Sequence, residues 1–307
     1  MRVFVTGASG WIGSAVVEEL VGAKHDVVGL ARSGSSASVL ESLGAEVCRG
    51  SLDDLEVLRE VAEDSDGVIH LAFKHDIAFS GDFPGAATAD RRAVEVFGET
   101  LAGSKRPLVI ASGVFGLKPG QVSTERDGHD VSPETTLSAG PQARQATAEY
   151  VLSLAERDVR SSIVRLAPTN HGRGDNGFMA TIVSIAREKG LSGYVGDGSQ
   201  RWPAVHRLDS AKLFCLALER APAGATLHGV AEEGVPIRDV AEVIGRHLNV
   251  PVESVSIADA PGHFTWLANF LATDSPCSSY LTQELMDWHP EEIGLLADLD
   301  EGHYFGH

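Results

Sequence analysis

Short apolar runs alternate with amphipathic stretches along the first half of the chain. The run "RVFVTG" at 2–7 is followed by "IGSAVVEELVGA" at 12–23, whose apolar positions recur at helical spacing. The same alternation continues as far as "RSSIVRLAP" at 160–168, giving six strand-like runs separated by helical stretches. Since parallel strands are joined by helical crossovers, the pattern predicts a doubly wound parallel α/β sheet.

The alternation ends after Pro168. "TNHGRGDNG" at 169–177 predicts a loop, "FMATIVSIAREKG" at 178–190 predicts a helix, and 251–307 predicts short helices joined by loops. Earlier in the chain, "RSGSSASV" at 32–39 predicts a Gly/Ser-rich loop. We therefore expect a smaller C-terminal α+β lobe after the main sheet.

The break in the pattern also predicts where the two parts of the chain meet. We expect the main α/β domain at 1–168, with 204–228 returning to it. The smaller lobe, which would cover the substrate, is expected to consist of 169–203 and 229–307.

Composition narrows the class of partner. Hydrophobic residues make up 43% of the chain, and the formal net charge is -18, which argues against a nucleic-acid or acidic-membrane partner. The cysteines Cys48, Cys215 and Cys277 lie far apart and are expected to be reduced packing thiols. No run approaches the roughly 18 apolar residues of a membrane span, and no leader pattern precedes the first strand. We therefore expect a cytoplasmic protein.

The stretch "VTGASGWIG" at 5–13 places three glycines, Gly7, Gly10 and Gly13, between a strand and a helix. Glycines there let the backbone approach a pyrophosphate, and the helix N-terminus offers free N–H groups. The loop predicts a dinucleotide phosphate site formed by Gly7, Ser9, Gly10, Trp11, Ile12 and Gly13.

The TGxxGxxG spacing resembles that of the extended and atypical short-chain dehydrogenase/reductases. "VIHLA" at 68–72, "IASGVFG" at 110–116, "RLAPTNHG" at 165–172 and "VGDGSQRWPAVHRLDSAKL" at 195–213 resemble further motifs of this family. The resemblance implies a Rossmann fold with a nicotinamide cofactor. It places the adenine near Ser51 and Leu52. The nicotinamide would lie near Leu71, Ala72, Phe73, Ser112, Ala167, Pro168 and Thr169.

The end of the second strand predicts which nicotinamide is bound. An NAD enzyme has a carboxylate there for the ribose hydroxyls, whereas "GLARSGSS" at 29–36 has Arg32 and Ser33. Arginine and serine suit a 2′-phosphate, so NADP(H) is predicted. The alternative is that Arg32 is a solvated surface charge or only stacks on the adenine.

The family's usual proton donor is absent. It is a Tyr in a Tyr-x-x-x-Lys pair on the helix after the fifth strand, but in "SAGPQARQATAEYV" at 138–151 these positions hold Pro141 and Gln145. Ser112, His171 and Lys74 are the candidate catalytic residues, although each also has a purely structural interpretation. An iminium accepts hydride without an acid, so the missing Tyr slightly favours C=N reduction.

These observations predict an NADPH-dependent reductase of a small apolar carbonyl or imine. His75, Arg201, Trp202 and His206 are expected to face the substrate. The rivals are a non-catalytic NADP(H) sensor like the NmrA-type regulators and, with less support, an epimerase or dehydratase. No histidine pair has metal-binding spacing, so no metal is predicted. The amphipathic helices at 91–103 and 143–156 favour a homodimer.

Overall fold

The computed structural model describes residues 1–135 and 141–306. The strands are β1 (Arg2–Thr6), β2 (Asp26–Ala31), β3 (Glu46–Arg49), β4 (Gly67–His70), β5 (Pro107–Gly113), β6 (Arg160–Leu166), β7 (Thr169–His171), β8 (Ser192–Val195), β9 (Arg201–His206), β10 (Ala225–Gly229), β11 (Glu232–Pro236) and β12 (Val252–Val255).

The helices surround these strands. They are α1 (Trp11–Gly22), α2 (Gly34–Ser42), α3 (Leu55–Glu63), α4 (His75–Phe79), α5 (Phe83–Leu101), α6 (Pro141–Ser153), α7 (Phe178–Lys189), α8 (Arg207–Arg220), α9 (Ile237–Leu248), α10 (Ala260–Phe264), α11 (Ala268–Leu271), α12 (Tyr280–Met286) and α13 (Leu295–Asp300). Within the described ranges, none of the helices has the length and apolarity needed to cross a membrane.

The central sheet has seven parallel strands in the order β10-β6-β5-β4-β1-β2-β3. Successive side chains of a strand point to opposite faces. On β1, Val3 and Val5 join an apolar cluster that includes Val16 of α1 and Phe214 of α8, whereas Phe4 packs in a separate cluster with the helices of the other face. The predicted α/β class is confirmed, with helices on both faces.

A seventh strand, β10, extends the sheet beyond the six runs counted in the first half of the chain, by pairing with β6. The rest of the C-terminal part forms a three-stranded sheet, β11-β9-β7, and a parallel pair, β12-β8. Their own apolar cluster includes Trp202, Ile244 and Leu271. The smaller α+β lobe is therefore present, while the domain bounds given above stay a prediction.

One predicted loop is largely helical. The segment at 32–39 enters α2 at Gly34, because Ser33 caps the helix: its Oγ accepts a hydrogen bond from the Ser36 backbone N–H at 3.1 Å. Serine is a favoured N-cap residue, and its side chain satisfies an N–H of the first turn. Reading 32–39 as a loop was wrong for this reason.

The order of the strands creates a crevice between β1 and β4. From β1 the chain continues to β2 and β3 on one side, and then crosses to β4 on the other side. Ligands of open α/β sheets bind outside the carboxyl ends of the strands at such a reversal. The loops after β1, β2, β3, β4, β5 and β6 all open at this edge.

Candidate cofactor and substrate site

The loop between β1 and α1 is tightly folded around its glycines. Gly7 has a φ of +67°, and a Cβ atom there would lie 2.7 Å from the backbone nitrogen of Ala72. A Cβ on Gly13 would lie 2.0 Å from the Gly7 carbonyl oxygen, and the Gly10 N–H donates to that same oxygen at 2.9 Å. The loop thus packs against the backbone that follows β4, and the first turn of α1 offers backbone N–H groups for a pyrophosphate.

Cations and hydroxyls cluster where β2 ends. The Oγ atoms of Ser33 and Ser36 lie 3.0 Å apart, and the Arg49 guanidinium donates to the Ser33 carbonyl. Arg32 extends into solvent and pairs with Asp76, at 3.1 Å between Nη1 and Oδ2. Sequence reasoning missed Arg49, because it ends a different strand, β3. Two guanidinium groups and the N-terminus of α2 suit a phosphate here.

The loop after β3 is connected to the loop after β4. Ser51 donates from its backbone N–H and its Oγ to Asp54, at 2.7 and 2.9 Å, and Leu52 is buried. Lys74 Nζ lies 2.7 and 2.6 Å from the two carboxylate oxygens of Asp53. This pairing places the Lys74 ammonium beside the loop predicted to contact the adenine.

Thr6 at the end of β1 positions the chain that leaves β4. Its carbonyl accepts from the Leu71 N–H at 3.2 Å, and its Oγ1 accepts from the Ala72 N–H at 3.3 Å. Thr6 Oγ1 also lies 2.7 Å from Nδ1 of the buried His70, whose Nε2 lies 3.2 Å from Asp90. This buried chain of polar groups fixes the backbone of the predicted nicotinamide site.

The ends of β5 and β6 also lie at the carboxyl edge of the central sheet. Ser112 lies near the end of β5 and is partly exposed. Ala167 and Pro168 join β6 to β7, and the Ala167 N–H donates to the Gly229 carbonyl at 3.3 Å. Thr169 Oγ1 is buried and has no hydrogen-bond partner within 1–135 and 141–306. Buried hydroxyls are normally bonded, so an orphaned one suits a site that a polar ligand completes.

Sequence reasoning missed Arg144. It lies on α6 between the positions predicted to match the family's Tyr and Lys, and its Cζ atom lies 4.2 Å from the centroid of the Phe73 ring. Its Nη2 donates to the Ala111 carbonyl of β5 at 3.2 Å. Burial, and then the charge of Arg144, lower the pKa of His75, whose ring centroid lies 5.1 Å from that of Phe73.

Gln145, at the predicted Lys position, is hydrogen-bonded to the segment that follows β5. Its Nε2 donates to the Gly128 carbonyl at 2.5 Å, and the buried Arg165 donates to the same carbonyl at 3.2 Å. Gln145 therefore anchors the segment that follows β5, as Arg165 does.

His171 is fully buried. Its Nδ1 lies 3.0 Å from Asp298, whose other oxygen bonds His303 at 2.9 Å. Burial acts to raise the pKa of the Asp298 carboxyl, but its hydrogen bonds to these two histidines lower it overall. The His171 ring centroid lies 5.4 Å from that of His206, whose pKa is lowered by burial and then by His171. Ser112, Lys74 and His171 thus lie in three different environments, and their catalytic roles stay hypotheses.

An aromatic cluster joins the loop after β5 to the smaller lobe; it is formed by Phe115, Phe178, Trp202, Trp266 and Phe270. Phe115 follows β5, and its ring centroid lies 5.5 Å from that of Trp202 and 5.2 Å from that of Phe270. Phe178 lies 5.6 Å from Trp202 and 5.7 Å from Trp266. Trp202 is buried, whereas Trp266 is about half exposed, at 48%. The cluster offers an apolar surface that reaches solvent.

Arg201, predicted to face the substrate, is neutralised by Asp274. Its Nε and Nη2 donate to the two carboxylate oxygens at 3.0 and 2.8 Å, and its backbone N–H donates at 2.7 Å. This hydrogen bonding holds the pKa of the Asp274 carboxyl below its usual value, so the pair stays ionised at neutral pH. Arg201 therefore anchors the chain beside the aromatic cluster.

The family model described as NAD dependent epimerase/dehydratase family matches residues 3–228, which include the glycine loop and all seven strands of the central sheet as far as His228. The chain belongs to this family. It is an oxidoreductase of the short-chain dehydrogenase/reductase type, and the family uses NAD(P). The resemblance seen in the sequence motifs is confirmed.

Proteins similar to this one match nearly the whole chain. An uncharacterized protein of Saccharomyces cerevisiae, YLL056C, is 44% identical over 97% of this chain and 98% of its own length. The 2'-dehydrokanamycin reductase of Streptomyces kanamyceticus is 26% identical over 94% of this chain and 78% of its own. The UDP-glucose 4-epimerase of Thermotoga maritima superposes with a TM-score of 0.76 at 20% identity, covering 99% of this chain and 98% of that one. The last likeness shows the fold alone.

Proposed function

We propose that this protein is an NADPH-dependent reductase of a small, apolar carbonyl or imine compound. The residues at the end of β2 support the cofactor preference: Arg32 and Ser33 follow the strand where an NAD enzyme has a carboxylate, and Arg49 and the Ser36 hydroxyl lie beside Ser33. A 2′-phosphate matches guanidinium and hydroxyl donors and would be repelled by an acid.

Different residues at the carboxyl edge of the sheet would bind different parts of the cofactor. The loop from Gly7 to Gly13 and the N-terminus of α1 would bind the pyrophosphate, since a side chain at Gly7 or Gly13 would collide with backbone. Thr6 holds Ala72 in place beside the predicted nicotinamide position. When bound, the reduced nicotinamide supplies a hydride.

The substrate side supports an apolar ligand. The aromatic cluster of Phe115, Phe178, Trp202, Trp266 and Phe270 would exclude water from the reacting atoms. Arg201 makes three hydrogen bonds to Asp274, so a phosphate or carboxylate of the substrate would have to displace that carboxylate.

Reduction is also supported by what the chain lacks. Epimerases and dehydratases of this kind rely most heavily on the tyrosine base, and Pro141 and Gln145 stand at the Tyr and Lys positions. The relative from Streptomyces kanamyceticus bears the name of a reductase. Oligomeric state stays a prediction; a homodimer through α5 and α6 is the one we propose.

The proposed function can be tested by measuring cofactor binding and NADPH oxidation. Fluorescence titration should give a lower Kd for NADPH than for NADH, and NADPH should be oxidised when aldehydes, ketones and cyclic imines with aromatic or alkyl substituents are added. Tight NADPH binding with no oxidation by any compound would instead support a sensor of the NmrA type. Equal affinity for the two cofactors would contradict the assigned preference.

A further inference from the structure

Arg144 lies at the edge of the sheet where the catalytic pair is missing. The pairing of β4 with β5 ends at His70 and Ile110, so Ala111 is the first residue of β5 beyond it. The Arg144 guanidinium reaches this opening from α6, donating to the Ala111 carbonyl and lying over the Phe73 ring. It therefore stands between the loop after β4 and the strand that bears Ser112.

The charge of Arg144 is not neutralised by a carboxylate. Arg32, Lys74 and Arg201 pair with Asp76, Asp53 and Asp274. Arg144 has no such partner within 4.0 Å in the part of the chain that the structure describes. It is half-buried, and its bond to Ala111 uses one of five N–H donors. A half-buried cation held by an aromatic face and a neutral carbonyl is suited to an anionic ligand atom.

We propose that Arg144 binds the carbonyl oxygen of the substrate and stabilises the negative charge that develops on it during reduction. This proposal rests on the proposed function and names its substrate class: neutral aldehydes or ketones, and not iminium ions. Preorganised donors and charges aimed at the place where charge develops usually make the largest single contribution to lowering such barriers. An iminium is already positive, so the same cation would repel it.

Reduction of the carbonyl group needs no acidic side chain. As the carbonyl carbon gains a hydride, the π electron pair moves onto oxygen, and the resulting alkoxide is held by Arg144. The alkoxide then takes a proton from water, and the hydroxide formed is neutralised by the buffer.

Binding of small aromatic probes tests the proposal without turnover. Benzoate, benzamide and benzylammonium can be titrated against the protein with and without NADP+, by quenching of tryptophan fluorescence, since Trp202 and Trp266 belong to the aromatic cluster. We expect benzoate to bind at least about 10-fold more tightly than benzylammonium. Arg144→Met should remove that preference, and Arg144→Lys should restore part of it.

Arg91 supplies the matched control. Its Cζ atom lies 4.0 Å from the centroid of the Tyr150 ring, and its Nη1 donates to the Pro133 carbonyl at 3.0 Å, so it resembles Arg144 in its contacts. It pairs with Glu95 and lies on α5. Arg91→Met should leave the preference for benzoate unchanged. If it abolishes the preference as Arg144→Met does, or if Arg144→Met keeps it, the proposal is overturned.

Kinetics separate this proposal from the proposed function. For an aromatic aldehyde or ketone that the parent reduces, kcat/KM should fall about 10²-fold or more in Arg144→Met, while the Kd for NADPH stays within about 2-fold. Reduction of a preformed iminium should be unchanged or faster. An unchanged kcat/KM for the carbonyl compound would overturn the role of Arg144 and leave the reductase assignment intact. If the parent reduces nothing, the proposed function fails, and the probe titrations still decide whether Arg144 binds anions.

Discussion

Lys74 donates to both carboxylate oxygens of Asp53, with Nζ at 2.7 Å from Oδ1 and 2.6 Å from Oδ2. The pair connects the loop after β3 with the residue that precedes α4. It holds the ammonium beside the loop predicted to contact the adenine, so we expect Lys74 to support cofactor binding, whether or not it also takes part in proton transfer.

We expect Lys74→Met to weaken NADPH binding by up to about 5-fold, since a partly exposed ion pair is worth about 1 kcal/mol or less. At saturating NADPH, kcat should change little. Asp53→Asn is the matched variant and should have the same effect, with no further loss in the double variant. A 10²-fold fall in kcat for Lys74→Met, absent in Asp53→Asn, would instead support a catalytic Lys74.

The preference for NADPH over NADH should depend on Arg32. Arg32→Ala should narrow the difference in binding free energy between the two cofactors by on the order of 1–3 kcal/mol, the range for a hydrogen bond to a charged group. Asp76→Asn should have the opposite effect, because it frees the guanidinium from its ion pair. Cofactor fluorescence titrations measure both. If Arg32→Ala weakens NADPH and NADH equally, Arg32 only stacks on the adenine.

Substitutions at two glycines of the loop between β1 and α1 should have different effects on cofactor binding and on stability. Gly10 has a φ of -73°, and a Cβ there would meet only the Gly7 carbonyl oxygen, at 3.0 Å, so Gly10→Val should abolish NADPH binding and leave the fold largely intact. Gly7 has a φ of +67° and lies against Ala72, so Gly7→Val should also lower the melting temperature. Circular dichroism and NADPH titration distinguish the two. Normal NADPH binding by Gly10→Val would show that this loop is not the phosphate site.

Hydrophobic pattern and spacing predicted the central sheet because both are local. Successive residues of β1, such as Val3 and Phe4, fill cores on opposite faces, and each such run could be recognised by itself. The glycine loop was equally local. Its strand, turn and helix follow one another within residues 2–22.

What the sequence did not reveal depends on contacts between distant residues. His171 meets Asp298 across 127 positions, and no periodicity relates them. Arg144 lies between the two positions predicted to match the family's Tyr and Lys, and the role proposed for it depends on its contact with Phe73, which lies in another loop. The direction of a side chain on a helix depends on the residues that pack around it. Spacing along the chain does not identify those residues.

His171 should matter for stability before it matters for chemistry. It is fully buried, and replacing it with leucine leaves Asp298 with His303 as its one histidine partner among the described residues. The variant leaves Oδ2 of the buried Asp298 without its histidine partner, and losing the partner of a buried polar atom destabilises a fold by about 1–3 kcal/mol. Urea unfolding of His171→Leu should show a loss of this size, with His289→Leu, at an exposed pair, as the control. If His171→Leu is as stable as the parent but loses activity, His171 is a catalytic residue.

His228 should make the fold sensitive to acid. It lies on β10, its Nδ1 donates to the Ser278 carbonyl at 2.8 Å, and its Nε2 is buried with no partner in the described part of the chain. Burial lowers the pKa of His228 to about 4, although the nearby Glu125 acts to raise it. A histidine in an unfolded chain has a pKa of about 6.5.

Between these two pH values the unfolded chain binds a proton that the folded protein does not, so stability is complete above about pH 6.5 and falls as the pH drops toward 4. The difference of about 2.5 pKa units corresponds to about 3 kcal/mol across this window. His228→Gln keeps an N–H donor for Ser278 and removes the titrating group. Between pH 7 and about 4.5 the parent should therefore lose on the order of 2 kcal/mol more of its free energy of unfolding than this variant does. Urea unfolding at a series of pH values measures this difference, and His289→Gln should follow the parent, since His289 is exposed. Identical slopes for His228→Gln and the parent would show that the proton uptake lies elsewhere.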